Sequence, residues 1–406
     1  MPRPDVSIII PTRERAATFV HCLRTVTDQT YASLEIIVSD NASTDVTQSI
    51  VAENADPRIR YVNPGKRLNM SANWEFALSH ARGDWIGFVG DDDGMLPGGV
   101  EAMLAIAGRG ATRLVRCRPC DYLWPQLTGT RDGRLVVPTG RGETLGSGRD
   151  ALEQLMAGEI AYTRLPTVYS GGFAHTELIA AGRSPDGRFF HSRIPDLYSA
   201  VRLTALGVPY MFSEIPFAIN GISAMSTGVS YFNKSKSPDK LAASRLFAAE
   251  ANLPLHPSVP PLDGDEIPRS IHALLYESYQ HVLALEPSLP TLDPATQLAI
   301  MVRTAGPHAA EMRLWAPLFA ARHGIAPPPA SRFSGLRDTA SRWQGRLQLD
   351  RVVISNAAMP VVANVHEASR VAGAILGAPL PSKAGVAVNL AQFAGSMVAR
   401  RLQRAG

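Results

Sequence analysis

Cysteine is scarce: Cys22, Cys117 and Cys120 are the three present in 406 residues. An odd, small number argues against a secreted, disulfide-stapled fold and fits a reducing compartment, so a cytoplasmic location is expected. Long hydrophobic runs are missing too. A membrane-spanning helix needs ~20 nearly uncharged apolar residues, and every apolar stretch here is broken sooner by Arg, Lys, Asp, Glu or His. The opening MPRPDVSIIIPTRER sets charge directly after a short apolar run, unlike a signal peptide. Long blocks of one charge sign are also absent. The 40 Lys and Arg against 36 Asp and Glu leave +4 spread along the chain, with no footprint for nucleic acid. No Gly-x-Gly-x-x-Gly follows the first apolar run, where the chain reads PTRER; this disfavours a dinucleotide oxidoreductase.

What is present is ample apolar content, 45% of residues, in a chain longer than one average domain. Up to about Trp124, short apolar runs alternate with stretches of helical period, the pattern of a parallel sheet covered by helices. Val6 to Pro11, Leu34 to Asp40, Ile59 to Val62 and Trp85 to Val89 read as strands. Helices are expected after the first, after the second with Ser43 or Thr44 as cap, and over the stripe Met70, Trp74, Ala77, Leu78 and Ala81, with Gly83 as terminator. Pro97 is placed to open a further helix. The stretch from Pro125 to Gly148, rich in Gly, Thr and Arg, reads as a loop or extended excursion of the kind that serves as a lid. A helix from about Asp196 to Gly207 and a strand from Val208 to about Ile219 follow. Beyond Lys234, Pro-rich connectors separate helical patterns such as Ile271 to Leu285. The division expected is therefore an α/β domain over 1–233 and a mainly helical region over 234–406. Residues Ala384 to Gly406 form an apolar helical pattern with a basic end, either a helix packed on its own domain or a peripheral membrane contact at the inner face of the cell membrane.

In open α/β sheets ligands bind beyond the carboxyl ends of the strands, where helix N-termini offer unpaired N–H groups. The polar motifs lie there: Pro11-Thr12-Arg13-Glu14-Arg15, Asp40-Asn41-Ala42-Ser43-Thr44-Asp45, Arg67 with Asn69 and Asn73, and Asp91-Asp92-Asp93. Three adjacent carboxylates repel one another in a dry site unless solvated or neutralised, and a divalent cation, Mg²⁺ or Mn²⁺, suits such hard oxygen ligands and a substrate diphosphate.

SIIIPTRERAATF, EIIVSDNASTD, NMSANWEFALSHARGDWIGFVGDDDGMLP and PDLYSAVRLTALG, in this order and spacing, resemble the signatures of glycosyltransferase family 2 over about the first 230 residues. The resemblance implies a GT-A fold, a Rossmann-like nucleotide-diphospho-sugar transferase domain. It also implies transfer of a sugar, usually with inversion and commonly from a UDP-sugar, to a saccharide or lipid-linked acceptor in cell-surface polysaccharide or glycolipid synthesis. Hexosyl transfer is the expected class of reaction. By the same resemblance Pro11 and Thr12 lie along the nucleotide, with Glu14 where the family often has Asn. Asp40 accepts from the base, Asn41 and Ser43 shape its pocket, and Arg67, Asn69 and Asn73 flank the diphosphate. Asp91 and Asp92 lie near ribose and metal, and Asp93 is the first choice of metal ligand, with Asp91 beside it. Asp196, after Pro195, stands where relatives carry an acidic motif and is expected to be the base, although the second acid of that motif is missing; the alternative is that it only caps a helix. His191 is a weaker candidate base, and His175 packs or faces solvent. Ser223 and Ser226 occupy a segment near the diphosphate, without the His found in relatives. Cys117 and Cys120 are read as strand residues, because zinc needs four ligands. Two other classes stay open: a nucleotidyltransferase, for which a Gly-rich phosphate loop is missing, and a non-catalytic sugar-nucleotide-binding scaffold.

Overall fold

In the computed structural model the described residues are 3–125, 133–226, 228, 250, 252–264, 266–329, 351–354 and 362–377. Its heart is an eight-stranded sheet in the order β3-β2-β1-β4-β10-β6-β11-β9. Strands β1 (Val6–Thr12), β2 (Leu34–Asp40), β3 (Ile59–Val62) and β4 (Trp85–Phe88) are mutually parallel. Their continuous apolar runs follow from burial on both faces, and Ile8, Ile9, Ile10, Ile36, Ile37 and Val38 are all fully buried. Helices α1 (Ala16–Thr27), α2 (Thr47–Ala52), α3 (Met70–Leu78) and α4 (Gly99–Gly110) make the crossovers. β6 (Leu114–Cys117), β9 (Glu143–Ser147), β10 (Gly172–His175) and β11 (Pro209–Ser213) complete this sheet. A five-stranded sheet runs β13-β8-β7-β12-β5, with β5 (Gly94–Met95), β7 (Cys120–Leu123), β8 (Leu135–Pro138), β12 (Ala218–Ile222) and β13 (Arg351–Ile354).

The remaining helices are α5 (Gly148–Met156), α6 (Thr176–Ala181), α7 (Pro195–Ala205), α8 (Ile271–Leu285), α9 (Pro294–Thr304), α10 (Ala309–His323) and α11 (Val365–Gly377). The class is thus α/β with a mainly helical later region. Packing crosses residues 233 and 234. Helix α8 lies on α7, sharing one core with Trp74, Phe190 and Trp315, and Arg202 pairs with Glu286 at 2.9 Å. Further along the chain, β13 extends the second sheet and α11 covers it, with the Ser369 hydroxyl donating to the Met95 carbonyl at 2.7 Å.

Several local expectations are corrected. Residues 133–148 are not a loop: β8 and β9 lie there, while 126–132 fall outside the described residues. β9 is an edge strand whose side chains are mostly exposed; its backbone pairing needs no apolar pattern, so sequence periodicity missed it. The expected strand from Val208 to Ile219 is two strands in different sheets, separated at Ser213–Pro216, where the Ile215 N–H donates to the Ser213 hydroxyl at 3.1 Å and Pro216 has no N–H to give. Asp45, rather than Ser43 or Thr44, serves the start of α2, accepting from the Thr47 N–H at 3.0 Å. Gly83 does not terminate α3; a Cβ there would lie 2.5 Å from the Ser7 nitrogen, so glycine is required by close approach to β1. The pattern over 384–406 lies outside the described residues.

Candidate functional site

The parallel strands deliver their polar C-terminal residues to one edge of the sheet. Thr12 ends β1, Asp40 ends β2, and the chain leaving β4 turns immediately into Gly90-Asp91-Asp92-Asp93. Trp74 stacks on Phe88 with ring centroids 4.4 Å apart and leans on Tyr169 at 5.4 Å, fixing the wall beside the acidic turn.

The three aspartates are all buried, yet each has a different environment. Asp91 accepts from the Thr12 hydroxyl at 2.8 Å through one oxygen and from the Arg15 guanidinium at 2.9 Å through the other. Burial pushes its pKa up, and the Arg15 charge opposes that. Arg15 also reaches the Met225 carbonyl, tying the acidic turn to the segment after β12. Asp93 is built into the fold: one oxygen takes the Gly221 N–H at 2.6 Å, the other the Gly90 N–H at 3.2 Å, and the Tyr169 hydroxyl adds a third bond. Burial, then the neighbouring Asp92 charge, raise its pKa to about 8, so it is mostly protonated at neutral pH. Asp92 differs from both. The Ser223 hydroxyl, at 2.6 Å, and that of Ser226 converge on a single oxygen, and among the described residues its second oxygen accepts no hydrogen bond. Its backbone carbonyl takes the Trp124 indole N–H at 2.8 Å, and Gly221 lies so close that a Cβ there would sit 1.7 Å from that carbonyl oxygen.

The opposite wall comes from β2 and the loops around it. Asp40 is buried with one oxygen on the Ser43 N–H at 3.0 Å and the other on the Tyr61 hydroxyl at 2.6 Å. The Asn41 side chain braces the 67–69 loop from both sides, donating to the Leu68 carbonyl at 2.7 Å and accepting its N–H at 2.8 Å. Glu14, in the left-handed region at φ 53°, donates its N–H to the Ser43 hydroxyl at 2.9 Å and pairs through its carboxylate with Arg67 at 2.5 Å. Asn69 caps α3 by accepting the Ala72 N–H at 2.9 Å, and buried Asn73 accepts the Ser39 hydroxyl at 3.2 Å. Pro11 lies in β1 opposite Ser39 of β2.

Asp196 sits in the first turn of α7, half-buried, with Pro195 ahead of it. Burial raises the pKa of its carboxyl, against the N–H groups of Leu197 and Asp196 and the charge of Arg116. Tyr169 joins the two carboxylate regions: its hydroxyl bonds Asp93, and it feels the charge of Asp196. The other expectations resolve simply. His191 bonds Ser184 at 2.8 Å, and burial lowers its pKa. His175 caps α6. Cys117 and Cys120 are buried, unpaired strand residues, with thiol pKa values raised by burial. Ser223 and Ser226, by contrast, are brought straight to Asp92.

Arg15, Tyr169 and Gly221 escaped sequence reasoning as site residues. Arg15 alone carried a signal, lying in the polar run after β1; Tyr169 is embedded in an apolar segment.

Among the described residues no group of three or more His, Cys, Asp or Glu side chains is arranged to hold a metal ion. A cation that takes most of its ligands from water and a diphosphate needs only one or two carboxylates. Asp92, with an open oxygen, fits that demand most readily; Asp93 accepts hydrogen bonds on both oxygens, and Asp91 is engaged by Arg15 and Thr12.

Polar and acidic residues thus collect at the carboxyl edge of a parallel sheet, where open α/β sheets hold their ligands. Residues 7–134 match the family model described as Glycosyl transferase family 2. It is 33% identical over 110 residues to GalNAc(5)-diNAcBac-PP-undecaprenol beta-1,3-glucosyltransferase of Campylobacter jejuni, covering 26% of this chain and 36% of that one. It is 31% identical over 104 residues to putative colanic acid biosynthesis glycosyl transferase WcaA of Escherichia coli K12, covering 25% and 37%. The chain thus spans about a third of the length of these relatives. The structure of S. aureus TarS 1–349 in complex with UDP-GlcNAc is similar at 14% identity and a TM-score of 0.45, over 84% of this chain and 92% of that one.

Proposed function

We propose that the chain transfers a hexosyl or related sugar from a nucleotide-sugar, with UDP the favoured nucleotide, to a hydroxyl of a saccharide or lipid-linked acceptor, with inversion. The observation that carries this reading is the gathering, at the ends of β1, β2 and β4, of a hydrogen-bonded polar cluster around Asp40 and a carboxylate with one open oxygen at Asp92. Asp196 reaches the same site from α7.

In this reading the base lies between the 11–14 turn and the 40–43 loop, with Asp40, Asn41 and Ser43 shaping its pocket and Pro11 and Thr12 along the nucleotide. Arg67, released from Glu14, together with Asn69 and Asn73 flanks the diphosphate. Asp92 takes the cation role in place of Asp93, and Asp91 holds Arg15 against the Met225 segment. A divalent cation, Mg²⁺ or Mn²⁺, supplies electrostatic stabilisation of the leaving diphosphate. Asp196 accepts the proton of the attacking acceptor hydroxyl, on the side of the sugar opposite the leaving group; burial raises its pKa, which makes the carboxylate a stronger base. The names of the relatives, an undecaprenol-linked glucosyltransferase and a colanic acid transferase, support a setting in cell-surface polysaccharide or glycolipid synthesis. Three unpaired buried cysteines suit the cytoplasmic side.

Thermal unfolding with UDP, GDP and UDP-sugars, with and without Mn²⁺, tests the reading, because a ligand held at 100 times its Kd stabilises the native state by about 2.7 kcal/mol. A nucleotide-selective, Mn²⁺-dependent rise in Tm is expected. No rise with any nucleotide in folded protein would sink the donor assignment and leave the acidic turn as structure only.

A further inference from the structure

Residues 189–193 are clamped between two helices that lie far apart in the chain. On one side stands α3. Its Glu75 carboxylate accepts the N–H groups of Phe189 and Phe190 through one oxygen, at 2.9 and 3.0 Å, and its Ser71 hydroxyl donates to the Ser192 carbonyl at 2.5 Å. On the other side stands α8, where Glu277 accepts the Ser192 hydroxyl at 2.6 Å, while Arg193 donates to the Leu253 carbonyl. Ser71, Ser192 and Glu277 are each 1% exposed, so the bonds that join them are shielded from solvent.

The second Glu277 oxygen accepts the His281 Nε2–H at 2.8 Å and the His256 N–H at 3.4 Å. Its donors thus come from the 189–193 segment, from α8 itself and from the chain ahead of α8. A buried carboxylate is costly to desolvate, and a well-packed apolar residue in its place is often no less stable; what the carboxylate adds is a single arrangement of the groups that donate to it. The helix held in this way bears on the site. Asn69 caps the first turn of α3, Asn41 braces the loop ahead of it, and Trp74 stacks on Phe88 and meets Phe190 of the clamped segment edge-on at 5.6 Å.

We propose that Glu277 is a positioning residue for donor binding: through Ser192 it fixes the first turn of α3, and with it Asn69, Asn73 and the 67–69 loop, in the arrangement that receives the diphosphate. This role rests on the reading of that loop given above. It also gives the later helical region a task, since α8 sets the donor loop through a buried contact and not by touching the nucleotide.

The test is the affinity of the full chain for UDP with Mn²⁺, measured by calorimetry at a temperature where circular dichroism shows each variant folded. In E277L, which fills the volume but accepts no hydrogen bond, Kd is expected to rise about tenfold, the scale on which residues remote from a ligand modulate its binding. E277Q, whose amide oxygen still accepts from Ser192, is expected to restore most of the affinity. S192A removes the hydroxyl alone and should weaken binding in the same sense; combined with E277L it should weaken it no further than E277L does, because both cut one link. S192A carries the test if E277L fails to fold. An unchanged Kd in folded E277L or S192A, even with a lower Tm, overturns the proposal and leaves Glu277 as structure alone, and so do losses that add in the double variant. Wild type that binds UDP no better than these variants do overturns the Glu277 role without touching the donor reading; wild type that binds neither UDP nor GDP removes the donor reading and this role with it.

Discussion

Replacing Asp93 by Asn probes the assignment of the acidic turn most directly. Asp93 is 1% exposed, and its pKa stands at about 8 against an ordinary 3.8. Because the folded value is raised, the stabilising contribution of Asp93 is fully present below pH 3.8 and is lost as pH climbs to 8. In that window the unfolded chain releases the proton and the folded one keeps it. Each pH unit then costs about 1.36 kcal/mol, so between pH 5 and 7 wild type should lose about 2.7 kcal/mol through this group alone. Asn cannot ionise, and its amide oxygen still accepts the Gly221 N–H, so the bonds from the Gly90 N–H and the Tyr169 hydroxyl are the ones put at risk. Urea unfolding of both proteins at pH 5 and 7 gives the difference directly, since all other titrations cancel in the comparison. The lost bonding costs D93N about 1–2 kcal/mol, which wild type's own loss of about 1.6 kcal/mol between pH 3.8 and 5 already offsets, so the two should be similarly stable at pH 5 and D93N the more stable by pH 7. Parallel pH dependences would refute a protonated Asp93. Loss of Mn²⁺-dependent nucleotide stabilisation in a well-folded D93N would return the cation to that residue.

D92N should keep the fold and lose the Mn²⁺-dependent part of the thermal shift, whereas D196N should keep that shift and lose transfer by at least a hundredfold, the usual scale of a general base; the same assays run on both variants would expose a swapped role at once. Gly221→Ala drives a methyl group into the Asp92 carbonyl, 1.7 Å from where the Cβ must lie. A Tm fall of several degrees together with loss of nucleotide binding is expected, and a variant that binds normally would show the β12 contact to be slack.

How much of this was legible beforehand depended on the kind of interaction involved. Strands β1 to β4 and the helix α3 were readable because burial on both faces, or along one stripe, writes a local pattern into consecutive residues. The edge strand β9 left no such trace, its side chains being largely exposed. Among site residues, the motifs at the ends of β1, β2 and β4 were visible as polar interruptions after apolar runs. Tyr169, inside TVYSGG, was not, since nothing local distinguishes a buried polar group that serves a site from one that merely packs.

By itself the sequence determined which strand ends would carry polar loops and that an acidic turn would follow β4, because these are properties of short segments. Only the tertiary structure decided which of Asp91, Asp92 and Asp93 has an oxygen to offer. That depends on partners 79 to 134 residues away in the chain for Asp91 and Asp92, Thr12 in one case and Ser223 and Ser226 in the other. For Asp93 it depends on Gly221, 128 residues on. Three identical side chains in a row differ in charge and availability because burial and hydrogen bonding act through space, and the order of residues along the chain does not contain those distances.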